Sequence, residues 1–498
     1  MEISFIAIPL ASAFVVAMIA NLDERIQDCI ACLAALATLT LSLFAITVLS
    51  GAGSSGAIVY KVGGWVPPFG VSIVIDGLAA FMLVTVNLIA LAALFYSTGY
   101  MKKYTDKWKF YALFLLLLAG INGVLVSGDV FNLYIFMEIA AIAAYALVAF
   151  GTTAEELEAS FKYAVMGTVA SCFIFLGIAF LYGYSSTLNM ADMASVLASK
   201  GPSGALLLAS VLFLMGFGLK AALAPFHAWL AYAHSSAPAP VSAMLSGVVI
   251  KVLGMYAIAR IFFNVFGITP VISFMILTLA VLSMIVGSML AFVQSDIKRM
   301  LAYSTVSQIG YVALGLGVGT PLAIFGALFH LFNHSLFKSL LFLNSGSIER
   351  VAGTRDMGKI AGILDKAPLT AYTGLVGALS ICGVPPLGGF WSKFIIILAC
   401  IQAGRPILAL TAVVVSILTL AYYFKSYTPV LFGNVTTSKQ IKAKSLFTMN
   451  APMVALTVLV ALAAFILIPV VGNVFMDGAV ASLVRGISYT DVVFEALK

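Results

Sequence analysis

An all-α polytopic membrane protein with about fourteen transmembrane helices is the fold class this sequence predicts, and three observations predict it. The 498 residues are 62% hydrophobic and only 9% charged, which excludes an ordinary soluble globular protein. Apolar stretches of about 20 residues, the length needed to cross the hydrocarbon core, recur with no gap long enough for a soluble domain. Into those stretches are set Glu138, a row of lysines and all four histidines. Ionisable groups at membrane depth cost about 2.5–3.5 kcal/mol each on insertion scales and usually face a bundle interior or a water-filled path.

The spans are placed in order near 4–20, 29–50, 74–98, 110–127, 130–150, 161–184, 204–224, 241–263, 272–293, 300–319, 321–344, 368–401, 407–432 and 451–472. The twelfth is too long for one straight crossing and contains Gly383, Pro385, Pro386, Gly388 and Gly389. The seventh runs into Ala224-Pro225-Phe226-His227 and then a half-apolar stretch to His234. Proline removes a helical hydrogen bond, so both are predicted to be discontinuous helices. The first span follows the acidic Glu2 with no basic lead and no small-residue cleavage site, so a removable signal peptide is not expected.

Basic residues orient the chain. Fourteen lie in loops on one side: Arg25, Lys102, Lys103, Lys107, Lys109, Lys298, Arg299, Arg350, Arg355, Lys359, Lys366, Lys439, Lys442 and Lys444. Five lie on the other: Lys61, Lys200, Arg405, Arg485 and Lys498. The positive-inside rule puts the richer side in the cytoplasm and both termini outside. The net charge of +7 therefore belongs to membrane loops and gives no reason to expect nucleic acid.

The chain also reads as partly a duplicate of itself. Phe161-Lys162 is matched by Phe337-Lys338, Lys251 by Lys425, and the broken seventh span by the broken twelfth. Five spans map onto the next five, so the second copy is inverted, and paired broken helices in inverted repeats point to a transport site near the midplane. The expected division is an N-terminal part at 1–109, a first repeat at 110–264, a second at 265–432 and a C-terminal helix and tail at 433–498. Lys220 precedes its proline while Lys393 follows its own, so these two are analogous and not aligned.

The titratable groups form the candidate site. Glu138 is flanked by apolar residues, and Lys220 closes the apolar run before Pro225. A Glu–Lys pair of variable separation is a proton switch: together both stay charged, apart the lysine gives up its proton. The alternative is a static pair joining two helices. Lys251 is too deep to snorkel easily and is expected to accept from Lys220 through His227. His330, His334 and Lys338 are spaced i, i+4, i+8 and share one helix face. Two histidines at that spacing can bind a metal, but no third ligand is evident, and a proton wire is favoured. Lys393 stands just past the second break. Lys162 and Lys425 are read either as further relays or as snorkelling lysines at helix ends, and His234 as a weaker candidate near a loop. Asp76 and Asp129 sit at span edges, where capping is the default. Cys29 and Cys32 form a lone CxxC without a second pair, so small-residue packing is preferred to metal binding. No cofactor is expected.

Five segments then carry a resemblance: Gly128-Asp-Val-Phe-Asn-Leu-Tyr-Ile-Phe-Met-Glu138, Leu219-Lys-Ala-Ala-Leu-Ala-Pro-Phe-His-Ala-Trp-Leu230, Ser236-Ala-Pro-Ala-Pro-Val-Ser-Ala-Met-Leu245, the run Asp296-Ile-Lys-Arg-Met-Leu-Ala-Tyr-Ser304 through Gly310, and Gly383-Val-Pro-Pro-Leu-Gly-Gly-Phe-Trp-Ser-Lys393. They resemble the antiporter-like subunits shared by respiratory complex I, Mrp-type cation/proton antiporters and membrane-bound hydrogenases. The resemblance implies Glu138 and Lys220 as the modulating pair, Lys251 and the histidines as relay, and Lys393 as the terminal lysine. Some complex I members carry glutamate at that last position, so Lys393 leans toward the Mrp D-type and hydrogenase-type relatives. The implied partners are other membrane subunits, protons or sodium, and the lipid bilayer of the cytoplasmic membrane. Any redox chemistry would belong to those partner subunits.

Overall fold

The computed structural model describes residues 1–21, 23–51, 56–67, 69–201, 203–433 and 447–497. Lys439, Lys442, Lys444 and Lys498, four of the charges used to orient the chain, lie outside the described residues. Helices account for nearly all of the rest. In chain order they are α1 (Ser4–Met18), α2 (Glu24–Ser50), α3 (Gly77–Tyr100), α4 (Lys107–Val126), α5 (Val130–Val148), α6 (Ala154–Ser185), α7 (Met190–Lys200), α8 (Gly204–Lys220) and α9 (Ala228–Ser236). The span α10 (Ala239–Val265) follows. Then come α11 (Pro270–Phe292), α12 (Ile297–Val318), α13 (Pro321–Ala352), α14 (Pro368–Cys382), α15 (Gly388–Gln402), α16 (Pro406–Phe432), α17 (Phe447–Leu462), α18 (Pro469–Phe475), α19 (Asp477–Val484) and α20 (Tyr489–Ala496).

Ten helices among the described residues are long and apolar enough to cross a membrane, and α1, α8, α14 and α15 are shorter apolar helices. The chain is a multi-pass membrane protein. α13 is 32 residues long yet missing from those ten, because it carries the polar side chains that matter below. It is buried over almost its whole length and packs on α10, α12, α14, α15 and α17. Large apolar side chains such as Phe44, Phe161, Phe274, Met289 and Phe424 are exposed on the outer helices. Apolar surface therefore faces outward and polar groups face inward.

Local signals start these helices where the sequence places them. Thr269 and Thr320 each cap a helix whose first residue is proline, at Pro270 and Pro321, the position where a missing N–H costs nothing. Asp76, Asp129 and Asp296 cap α3, α5 and α12 by accepting from backbone N–H groups. α6 begins at Ala154, seven residues before the expected span, because Thr153 and Glu156 form a capping box. α11 and α12 cross closely. A Cβ on Gly287 would meet the Ser307 nitrogen at 2.5 Å, and one on Gly310 would meet Met284 Cγ at 2.6 Å, the close backbone approach small residues permit in membranes.

Both expected breaks are present. α8 ends at Lys220, and the chain passes through positive-φ Ala222 and a cis Ala224–Pro225 bond before α9. α14 ends at positive-φ Gly383, and a cis Pro385–Pro386 bond precedes α15. Two features depart from the all-α expectation. Ala57–Lys61 and Ser72–Asp76 pair as an antiparallel hairpin, with Ala57 opposite Asp76, and the hairpin's Ala57 and Val74 cluster with Tyr489 and Val493 of α20. In addition, α10 is largely π-helical, at Leu245–Val249, Lys251–Tyr256 and Arg260–Val265.

Candidate functional site

The geometry starts at Glu138 and Lys220. Lys220 is the last residue of α8, where the helix stops, and its Nζ lies 3.2 Å from Glu138 Oε1 on α5. Ser171 of α6 donates to the same oxygen at 2.5 Å. The lysine side chain is 3% exposed and the glutamate 26%, so one partner is enclosed and the other reaches the surface. From beyond the break, Trp229 Nε1 donates to the Leu219 carbonyl at 3.1 Å and stacks on Tyr163 at 4.3 Å. The residue after Lys220 presses on α10, so closely that a Cβ at Gly254 would overlap Ala221.

Lys251 lies three residues before Gly254, fully buried at the junction of two π segments. Its Nζ donates to the Ser246 carbonyl at 2.5 Å. Ser246 Oγ shares a 2.8 Å hydrogen bond with Thr305 Oγ1 of α12. Next comes His234 on α9, fully buried, with neither ring nitrogen partnered among the described residues. The charges of both Lys338 and Lys251 bear on it. His227, expected between Lys220 and Lys251, is half-buried at the break and faces Tyr303 at 6.2 Å, while His234, read as a weaker candidate near a loop, is the more deeply buried of the two.

On α13 the i, i+4, i+8 spacing holds. His330 and His334 stack with rings 6.1 Å apart and 7° from parallel, and both are fully buried with Lys338. His330 Nδ1 is 2.9 Å from Ser392 Oγ on α15. Lys338 Nζ donates to the Leu301 carbonyl at 2.7 Å and to Tyr423 at 3.3 Å. Tyr422 and Tyr423 in turn both bond Ser304. Lys393, on α15, donates to the Ile381 carbonyl at 2.6 Å and stands 5.3 Å from the Tyr311 ring centre. Tyr311 itself lies 5.5 Å from the His330 ring. Gln308, on the α12 face shared by Leu301, Ser304 and Tyr311, is fully buried with both side-chain polar atoms unpartnered among the described residues.

Lys251, His234, His334, Lys338, His330 and Lys393 thus form one buried file, and the Glu138–Lys220 pair abuts it through Ala221 and Gly254. A sequence model described as NADH:quinone oxidoreductase/Mrp antiporter, transmembrane, matches residues 127–419, which hold every one of these groups. The chain belongs to this antiporter family. A second model, described as NADH-ubiquinone oxidoreductase (complex I) chain 5 N-terminus, matches residues 65–111. The chain is 43% identical over 371 residues to NADH-quinone oxidoreductase subunit N of Desulforudis audaxviator, covering 74% of each chain. It is 36% identical over 414 residues to the Na+/H+ antiporter D-type protein of Alkalihalophilus pseudofirmus, covering 82% of this chain and 84% of that one. In three dimensions it superposes with a TM-score of 0.90 on a chain of the Mrp complex from a Dietzia species, at 27% identity and 99% coverage. The same score relates it to a chain of an archaeal membrane-bound sulfane sulfur reductase, at 30% identity.

Within this antiporter-family chain, two lysines stay outside the file. Lys162 pairs with Glu158 at 2.5 Å and lies over the Tyr232 ring. Lys425 donates to the Phe292 carbonyl at 3.3 Å and lies over the Phe292 ring. Both snorkel. Among the described residues no three His, Cys, Asp or Glu side chains converge, so His330 and His334 have no third ligand. Sequence reasoning missed Gln308, Tyr311, Ser246 and Thr305, although a polar α12 face was visible in the motif from Asp296 to Gly310. It also missed Arg260, which holds Asp76 through two hydrogen bonds of 2.7 and 2.8 Å in full burial. Asp76 caps α3 as expected, and it does so while paired.

Proposed function

We propose that this chain is an ion-translocating subunit of a larger energy-coupling membrane complex, carrying protons, or exchanging them for sodium, through the Glu138–Lys393 file. The observation that carries the reading is the state of the lysines. Lys220 has a carboxylate, whereas Lys251, Lys338 and Lys393 each bond a backbone carbonyl instead. A buried ammonium held only by neutral dipoles is expensive, and nothing in a static scaffold requires three of them.

In this reading Glu138 and Lys220 form the switch. When the pair opens, the proton on Lys220 is released toward Lys251, which takes it up through bridging water. From there it passes by way of Lys338 and the histidines His234, His334 and His330 to Lys393. The buried polar atoms of His234, His334 and Gln308 that find no partner among the described residues would each cost about 1–3 kcal/mol if left dry, which supports water molecules bridging the steps. Lys393, beside the second break, is the terminal loading site. We further read residues 110–264 and 265–432 as inverted repeats in a fourteen-crossing topology, with 1–109 preceding them and 433–498 following them. The paired breaks support this, and the differing burial of Lys162 and Lys338 marks where the halves have diverged. The membrane is the cytoplasmic one, with both termini outside.

A second reading is a subunit of a stand-alone Mrp-type cation/proton antiporter without redox chemistry. The similarity to the D-type Na+/H+ antiporter protein over 82% of this chain favours it. One experiment tests both. The intact complex is placed in proteoliposomes with a pH-sensitive dye, driven either by its electron donor or by an imposed sodium gradient. Gradient formation that needs neither this chain's Lys220 nor its Lys251 would overturn translocation through the file. The drive that works separates the two readings.

A further inference from the structure

A separate feature lies on the outer surface. Tyr232 of α9, 39% exposed, has Lys162 Nζ 3.8 Å and Arg299 Cζ 5.5 Å from its ring centre. The two cations therefore stand within about 9 Å of one another. One carboxylate serves them, Glu158, which pairs with Lys162. Arg299 has no ion pair among the described residues, and its buried Nε has no hydrogen-bond partner there. Nearby charges are committed elsewhere: Arg355 to Asp296 and Glu155, Lys298 to Glu349. The cluster keeps one positive charge in excess.

An open apolar groove of about 460 Å³ lies on α6, lined from Phe161 to Leu176 and including the small residues Ala164, Thr168 and Cys172. Lys162 shares a helix edge with Val165 and Val169 (i, i+3, i+7), so its ammonium heads the groove. From Phe161 to Leu176 the groove extends about 22 Å along the helix, more than the roughly 15 Å depth of one leaflet of hydrocarbon.

We infer that Lys162, Arg299 and Tyr232 form the head-group seat, and the α6 groove the acyl seat, for an anionic membrane phospholipid. An arginine with unused donors suits a phosphate diester, a partly exposed tyrosine suits the interface, and basic clusters at the ends of membrane helices select anionic lipid. A zwitterionic lipid would bring a cation toward a site that already has one to spare.

The test uses the purified full-length chain with whatever subunits accompany it, in nanodiscs of equal phosphatidylglycerol and phosphatidylcholine. Native mass spectrometry counts the lipids retained after detergent release. Phosphatidylglycerol should be retained about tenfold over phosphatidylcholine. Lys162→Gln combined with Arg299→Gln should abolish that preference, whereas Lys359→Gln, an exposed lysine elsewhere, should keep it. Ala164→Trp fills the groove and should reduce retention with the cations intact, its melting temperature reporting that the chain is folded. Equal retention of both lipids, as when another subunit covers α6, overturns the site. So does a preference that survives the double variant, or undiminished retention in Ala164→Trp.

Discussion

Lys393 donates to the carbonyl of Ile381, and the helical partner of that carbonyl would be Pro385, which has no N–H to give. The break thus creates an acceptor and the lysine fills it. A positive charge at membrane depth is held by a helix end and not by a counter-ion, so its proton is free to leave without stranding a carboxylate. Lys393→Ala should abolish net translocation, a loss of at least about tenfold. Leaving the Ile381 carbonyl unmet should also cost about 1–3 kcal/mol of stability. Dye-monitored proteoliposomes and a melting curve read the two effects separately, and normal pumping by the variant would remove Lys393 from the path.

Glu138→Ala or Lys220→Ala should stop translocation while the complex still assembles. Ser171→Ala, which removes the competing 2.5 Å donor on Glu138 Oε1, should instead tighten the Glu138–Lys220 pair and slow the switch without stopping it. Initial rates of gradient formation rank the three. Full rates in either charge-removing variant would show that the pair is only a strut.

Lys251→Met keeps the length and packing of the side chain but cannot carry a proton. Protein level should hold and pumping should fall. Loss of assembly with no separate transport defect would point to a structural role at Ser246.

The two histidines that follow the first break should separate. His234→Gln should cut translocation strongly, because His234 is fully buried with neither ring nitrogen partnered among the described residues. His227→Gln should leave most of it, since His227 is only half-buried. The reverse order would restore the path to His227.

Asp76 and Arg260 are each fully enclosed and doubly bonded. Asp76→Ala strands a buried guanidinium and should destabilise the chain by about 3–5 kcal/mol, seen as a lower melting temperature. The double replacement Asp76→Leu with Arg260→Met should recover much of it. No recovery would mean that the charges themselves are needed.

Much of this architecture could be read from the chain because the signals are local. Thr-Pro at 269–270 and 320–321 starts helices by capping chemistry, and the prolines at 225 and 385–386 stop them wherever they fall. The i, i+4, i+8 spacing on α13 is enough to put His330, His334 and Lys338 on one face. What escaped depends on contacts between distant segments. His234 looked peripheral because it follows a break by seven residues, and only the fold of α9 against Phe342 of α13 carries it inward. The hairpin at 57–61 and 72–76 was hidden by its shortness and by a hydrophobic run that joins its second strand to α3. The partner of Arg260 lies 184 residues away, beyond any periodicity. The π segments of α10 follow from how that span is packed, and no residue type announces them.

Those π segments change what α10 can do. Each closes i→i+5 bonds and so holds a residue more than an α-helix of the same bond count. If one relaxed, or passed its surplus residue along the chain, the side chains beyond it would turn by about 100° about the axis. Lys251 sits where two of them meet. A shift of register there would turn its ammonium away from the Ser246 carbonyl. The slack for such a turn is stored inside the helix, out of reach of the lipid around it.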